Sequence, residues 1–117
     1  MPRRKIKPSN PKFFIRDPLG KFIGQFEFLC FQTLRFNTYL TYCKALQRFF
    51  SCFPSKSHPE TFDICDIEDY KRTSPRSKWA VVFDVRVVSV FFNWYRDTHS
   101  PEFSNPCRKA KAAESFL

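Results

Sequence analysis

The sequence predicts a single, mainly helical domain, and three observations carry that prediction. Two Gly stand against nine Pro in 117 residues, too few glycines for a β-rich fold with many tight turns. Residues 38–53 repeat apolar side chains at the i, i+3, i+4, i+7 spacing of one helical face. Residues 78–97 run without Gly or Pro for about twice the usual strand of roughly 5–10 residues. At 43 % apolar and 19 % aromatic, with 16 Phe, the chain has enough apolar surface for one core. The length suits one domain better than two.

In chain order, residues 1–12 carry Arg3, Arg4, Lys5, Lys7 and Lys12 with three prolines and no acid, the composition of a basic tail. In residues 13–32, Asp17-Pro18-Leu19-Gly20 has the Asp, Pro and Gly preferences of a type I turn between two short apolar arms. It predicts a small β-hairpin with a connecting segment. Residues 27–35 fit either a strand, through the alternation of Phe26, Phe28 and Cys30, or a helix, through Phe28, Phe31 and Gln32.

From Thr38, the residues Tyr39, Tyr42, Cys43, Leu46, Phe49, Phe50 and Phe53 form one apolar face, with Thr41, Lys44, Arg48 and Ser51 opposite. Asn37 is placed to cap the start of this helix, and Pro54 stops the chain beyond its end. A loop with Pro54, Ser55, Ser57 and Pro59 follows. Asp63, with Asp66 three residues on, then predicts a capped short helix whose acids crowd the start and whose Lys71 and Arg72 lie at the end, as the helix dipole prefers. That gives the acidic cluster a structural explanation.

Ser74-Pro75 interrupts the chain before the Val- and Phe-rich run. Read as a helix, this run shows a polar stripe of Arg86, Ser89, Asn93 and Arg96 and is apolar on most other sides, the pattern of a central helix with one exposed edge. Residues 33–100 thus make the helical body, and residues 101–117, with Pro101, Pro106, Arg108, Lys109 and Lys111, read as a basic linker or tail.

The net charge of +9 is uneven. Glu60, Asp63, Asp66, Glu68 and Asp69 hold five of the 11 acids, so the rest of the chain sets 20 basic residues against six acidic ones. Such an excess suits a polyanion, because each Lys or Arg that neutralises a phosphate releases counterions. Five cysteines without a C-x-x-C or a Cys–His pair at ligand spacing point to reduced thiols, with no metal site and no cofactor. The first residues lack an apolar signal-peptide core, and the longest uncharged apolar run, Val87 to Tyr95, is too short to span a bilayer. The expectation is an intracellular protein, cytoplasmic in a prokaryote, that acts neither on a membrane nor on a small molecule.

Nucleophilic catalysis has little to work with, since the two histidines, His58 and His99, both sit in loop-like Pro/Ser surroundings with no relay partner by motif. What remains is two helices with basic-polar stripes: Lys44 and Arg48 on one, Arg86, Ser89, Asn93 and Arg96 on the other. Arg and Lys hold phosphates, while Ser and Asn hydrogen-bond phosphates or base edges. The same residues also suit an ordinary solvated helix face.

Thr38-x-x-x-Tyr42-x-x-x-Leu46-x-x-Phe49-Phe50 resembles the opening helix of the SAM-like, N-terminal core-binding domain of the tyrosine recombinase (phage integrase) family. Asp66-Ile67-Glu68-Asp69-Tyr70 is similar to that domain's short helix, Val85, Val88 and Phe91-Phe92-Asn93-Trp94 resemble its last helix, and Asn105-Pro106 sits where the family's linker carries Asn-Pro. The resemblance spans about Thr38 to Pro106, with Ala80 where the family often has Thr. It implies a small SAM-like bundle that binds double-stranded DNA in integration or recombination. Lys44, Arg48, Arg86 and Arg96 would then meet phosphates, Ser89 and Asn93 base edges, and Arg3, Arg4 and Lys5 would act as an arm. The family's catalytic Arg, Lys, His and Tyr groups belong to a further domain, so no strand cleavage is expected from residues 1–117 alone. A second reading is a protein-interaction module, or a regulator that binds a recombinase catalytic domain or a full-length recombinase.

Overall fold

The computed structural model describes residues 15–108; Arg3, Arg4 and Lys5, and the tail assigned to residues 1–12, lie outside them, as do residues 109–117. The described residues form four α-helices: α1 (Leu19–Thr33), α2 (Phe36–Phe50), α3 (Ile64–Thr73) and α4 (Lys78–His99). A single 3-10 turn, Pro59–Thr61, precedes α3, and no strand occurs among the described residues.

The prediction of a mainly helical fold holds, and the β-hairpin does not form. Leu19, Ile23, Phe26 and Cys30 are buried at i, i+4, i+7 and i+11, so a helical stripe decides the type of this segment. The helix continues to Thr33, which resolves the ambiguous residues 27–35 as the end of α1 and its exit. The turn-like Asp17-Pro18-Leu19-Gly20 instead starts the helix, where the Leu19 amide donates to the Ser57 carbonyl at 2.8 Å. Gly20 is needed for close approach: a Cβ there would lie 2.9 Å from both the Ile15 carbonyl oxygen and Asp17 Oδ1. Burial against α2 and α4 outweighs the poor helix propensity of two glycines.

Helix α2 begins two residues earlier than its spacing suggests. Arg35 is its N-cap residue, and Asn37 falls inside the first turn. For α3 the capping box is complete. Asp63 Oδ1 accepts from the amides of Cys65 and Asp66 at 2.9 and 3.2 Å, and Asp66 Oδ2 accepts from the Asp63 amide at 2.9 Å. Lys56 Nζ adds an ion pair with Asp66 at 3.3 Å. The acidic cluster therefore starts a helix, as read from the sequence.

Helix α4 is central and contacts each of the other three helices. Its Val81, Val87, Val88, Phe91 and Phe92 face a core built largely of rings. Phe49 and Phe50 from α2 meet edge to face at 5.0 Å. Phe49 reaches Tyr70 of α3 at 4.9 Å, and Phe50 reaches Phe91 and Phe92 of α4 at 5.4 and 5.9 Å. Such pairs add roughly 0.5–1.5 kcal/mol each beyond the area they bury.

The folded unit is wider than the 33–100 body expected from the sequence. Helix α1 contributes four core residues, and Asn105, Pro106 and Cys107 are buried, so the described part of the expected linker packs on the domain. Asn105 holds it there. Its side-chain amide donates to the Ser89 carbonyl at 3.0 Å, Ser89 Oγ at 3.2 Å and Asn93 Oδ1 at 3.0 Å, and its Oδ1 accepts from the Cys107 amide at 2.8 Å. No helix among the described residues is long and apolar enough to cross a membrane.

The two glycines of α1 should respond oppositely to alanine. Gly24 is exposed, and an added Cβ meets nothing within 4 Å, so Gly24→Ala is expected to stabilise by about 0.5–1 kcal/mol in urea unfolding. Gly20→Ala should gain nothing or lose stability, because the Ile15 carbonyl is in the way.

Candidate nucleic-acid interface

The polar centre of the fold is Asp84, an acid that α4 carries into the core at 0 % exposure. A buried carboxylate is costly unless paired and hydrogen-bonded. Here donors arrive from three directions. Arg48 of α2 donates Nη2 to Oδ1 at 2.9 Å and Nε to Oδ2 at 3.3 Å, and Tyr70 of α3 donates its hydroxyl to Oδ2 at 2.7 Å. Arg76, from the segment between α3 and α4, donates Nη1 to Oδ2.

Burial alone would push the Asp84 carboxyl up, but the hydrogen bonds from Arg48, Tyr70 and Arg76 outweigh it and hold the group below the usual carboxylate range. Burial, reinforced by the bond to Asp84, pushes the Tyr70 phenol up. The guanidiniums of Arg48 and Arg76 thus lie side by side on one carboxylate, while their side chains stay 31 % and 35 % exposed. The arrangement presents a fixed pair of cationic donors at the surface.

The expected contact residues separate into two groups. Lys44, one turn before Arg48 on α2, and Arg86 on α4 are exposed, and among the described residues neither makes an ion pair. Arg48 turns Nε and Nη2 to Asp84 while its side chain stays partly exposed, Ser89 and Asn93 accept from Asn105, and Arg96 donates Nε to Asp97 at 3.0 Å. Half-buried Ser89 and Asn93 therefore anchor residues 105–107 onto α4. Arg3, Arg4 and Lys5 lie outside the described residues.

Sequence reasoning passed over three residues in or next to this surface. Asp84 and Arg76 announce themselves only through contacts between helices, which spacing along one helix cannot show. Trp79 is 79 % exposed in the first turn of α4, within a run that reads as apolar outside the stripe of Arg86, Ser89, Asn93 and Arg96. Its signal was available, since Trp79, Phe83, Arg86 and Val90 follow helical spacing on a face separate from Val81, Val88 and Phe92.

Comparison of the chain with protein-family models, curated proteins and solved structures finds no significant match.

Other chemistry is sparse. Among the described residues no group of three or more His, Cys, Asp or Glu is placed to hold a metal ion. Tyr95, like Tyr70, donates its hydroxyl to a carboxylate, here Glu60 Oε2 at 2.6 Å; burial and that bond push its phenol up. All five cysteines are free thiols. Burial pushes Cys30 up to about 11 and Cys107 up to about 12, which leaves both uncharged and weakly nucleophilic near neutral pH.

Asp84→Asn should cost about 3 kcal/mol in denaturant unfolding. That is the low end for breaking a buried pair, because both guanidiniums keep contact with water. Since the folded carboxyl is held low, the wild-type contribution is complete above the ordinary Asp range near pH ~4 and disappears as pH falls through the folded value. Stability measured between neutral and strongly acidic pH should accordingly fall less steeply in Asp84→Asn than in wild type.

Proposed function

We propose that this chain binds double-stranded DNA through phosphate contacts, as the resemblance to an integrase core-binding domain implies, and does not itself cleave strands. One observation carries the reading. Between Tyr70 and Arg96 the single acid is Asp84, and its charge is buried and covered by donors, so the first part of α4 and the turn before it offer only positive charge to solvent. Lys44, Arg48, Arg76 and Arg86 supply the contacts in this reading. Arg48 and Arg76 are already fixed in place, which lowers the ordering cost of gripping a phosphate. Ser89 and Asn93 serve the site indirectly, by holding residues 105–107. Tyr70 and Tyr95, as hydrogen-bond donors with raised phenol pKa, fit structural roles better than nucleophilic ones.

A second reading has its own observation. Phe28 and Phe31 on α1 and Phe36 at the start of α2 are 61 %, 54 % and 61 % exposed, and Phe31 and Phe36 both contact the Tyr39 ring. An apolar patch of this kind suits a protein contact, with a recombinase catalytic domain or full-length recombinase as the partner the resemblance suggests. The two surfaces use different residues and can operate together.

The DNA reading predicts that a Lys44→Ala, Arg86→Ala double variant keeps its stability, since neither side chain is packed or paired. Its affinity for a short duplex should fall, and the slope of log K against log salt should flatten by roughly two phosphate contacts, about 1.8. Unchanged affinity and slope in fluorescence anisotropy would remove the assignment. Phe28→Ser with Phe31→Ser should leave duplex binding intact.

A further inference from the structure

The exposed indole of Trp79 is unused by phosphate contacts, and its surroundings narrow what can cover it. Lys78 precedes it, and Arg76 lies in the turn that leads into the helix. Phe83 follows one turn later, and Arg86 three residues beyond that, with no exposed acid on α4 before Asp97. Phe83 is 36 % exposed and is braced from α2 by Tyr42, whose ring meets it nearly perpendicularly at 6.4 Å. The edge is therefore aromatic along its middle and cationic at both ends. An apolar protein surface would leave those cations unmatched, and an acidic peptide would leave the indole unmatched. A nucleic-acid strand satisfies both, because it carries a phosphate and a π-face in every unit.

We propose that the Trp79–Phe83 edge of α4 is a seat for unpaired bases, with Trp79 stacking on a base and Lys78 and Arg86 meeting phosphates on either side. Along the helix Trp79 and Phe83 are separated by about 6 Å. Neighbouring bases in a duplex strand stack at about 3.4 Å, so this spacing favours bases drawn out of the stack. Inside an intact duplex the π-faces are covered, which makes a single strand, or a strand opened beside duplex, the matching ligand. The inference deepens the DNA-binding reading by naming a second form of substrate on the adjoining surface, and it shares Arg86 with that reading.

The test titrates the full chain with a short oligothymidylate, an abasic strand of equal length and a duplex, following tryptophan emission and anisotropy. Oligothymidylate should bind roughly tenfold or more tightly than the abasic strand and quench Trp79 emission. Trp79→Ala should erase that preference while leaving the far-UV spectrum and duplex affinity unchanged. Trp79→Lys adds charge while removing the ring, and should also weaken oligothymidylate binding. Equal binding of the two strands, tighter binding by Trp79→Lys, or displacement of oligothymidylate by poly-glutamate as readily as by the strand itself would overturn the proposal in favour of charge alone. The two readings fail separately. Loss of duplex binding with the base preference intact removes the phosphate-contact reading and leaves this one, and the converse result removes only this one.

Discussion

The carboxylate of Asp84 is the constraint on which the rest of the structure depends. It is buried in the central helix and satisfied only if α2 delivers Arg48, α3 delivers Tyr70 and the intervening turn delivers Arg76. Apolar packing is tolerant of small shifts in angle and register, whereas a buried charge is not, because a missing donor leaves a desolvated group unpaired. The aromatic core supplies the driving force that collapses the helices. Asp84 selects the one arrangement in which three elements converge on α4.

That selection also shapes the surface. Placing the acid inside and its two arginines at the boundary turns a neutralising contact into an outward display of positive charge. The carboxylate still cancels one unit of charge, so Asp84, Arg48 and Arg76 together keep a net +1, with the guanidiniums rather than the acid facing solvent. A stability device and an electrostatic device are here the same group, so substitution of Asp84 alters both fold and field. Lys44 and Arg86 separate the two effects, being exposed and unpaired among the described residues.

Helices α2, α3 and α4 were legible in the sequence because each carries a local signature: a 3.6-residue apolar stripe, a capping box, or a long stretch free of Gly and Pro. Helix α1 was hidden because its turn-like start and two glycines speak for a break, and the opposing signal, the stripe of Leu19, Ile23, Phe26 and Cys30, gains weight only once α2 and α4 are there to cover it. The same distinction holds at the surface. Lys44 and Arg86 face solvent as their helical phases require. Ser89 and Asn93 were expected at the interface and instead hold Asn105, a contact made 16 and 12 residues along the chain that no helical phase reveals. The exposure of Trp79 was legible in helical phase, through the face it shares with Phe83, Arg86 and Val90, although composition alone makes an indole in an apolar run read as core.

The distribution of charge bears on how such a surface would work. Residues 15–108 contain 13 Lys and Arg against 10 Asp and Glu, a net +3 out of the +9 of the whole chain. Most of the long-range attraction to a polyanion therefore belongs to residues 1–14 and 109–117, which together contain seven Lys or Arg and one Glu. Attraction of that kind is strongly salt-dependent and carries little information about geometry. The helical body contributes position: a guanidinium pair fixed by a buried acid, exposed cations on α2 and α4, and a ring at the first turn of α4. Removing basic residues from the termini should then weaken all polyanions alike, whereas changes on α4 should alter which form of nucleic acid is preferred.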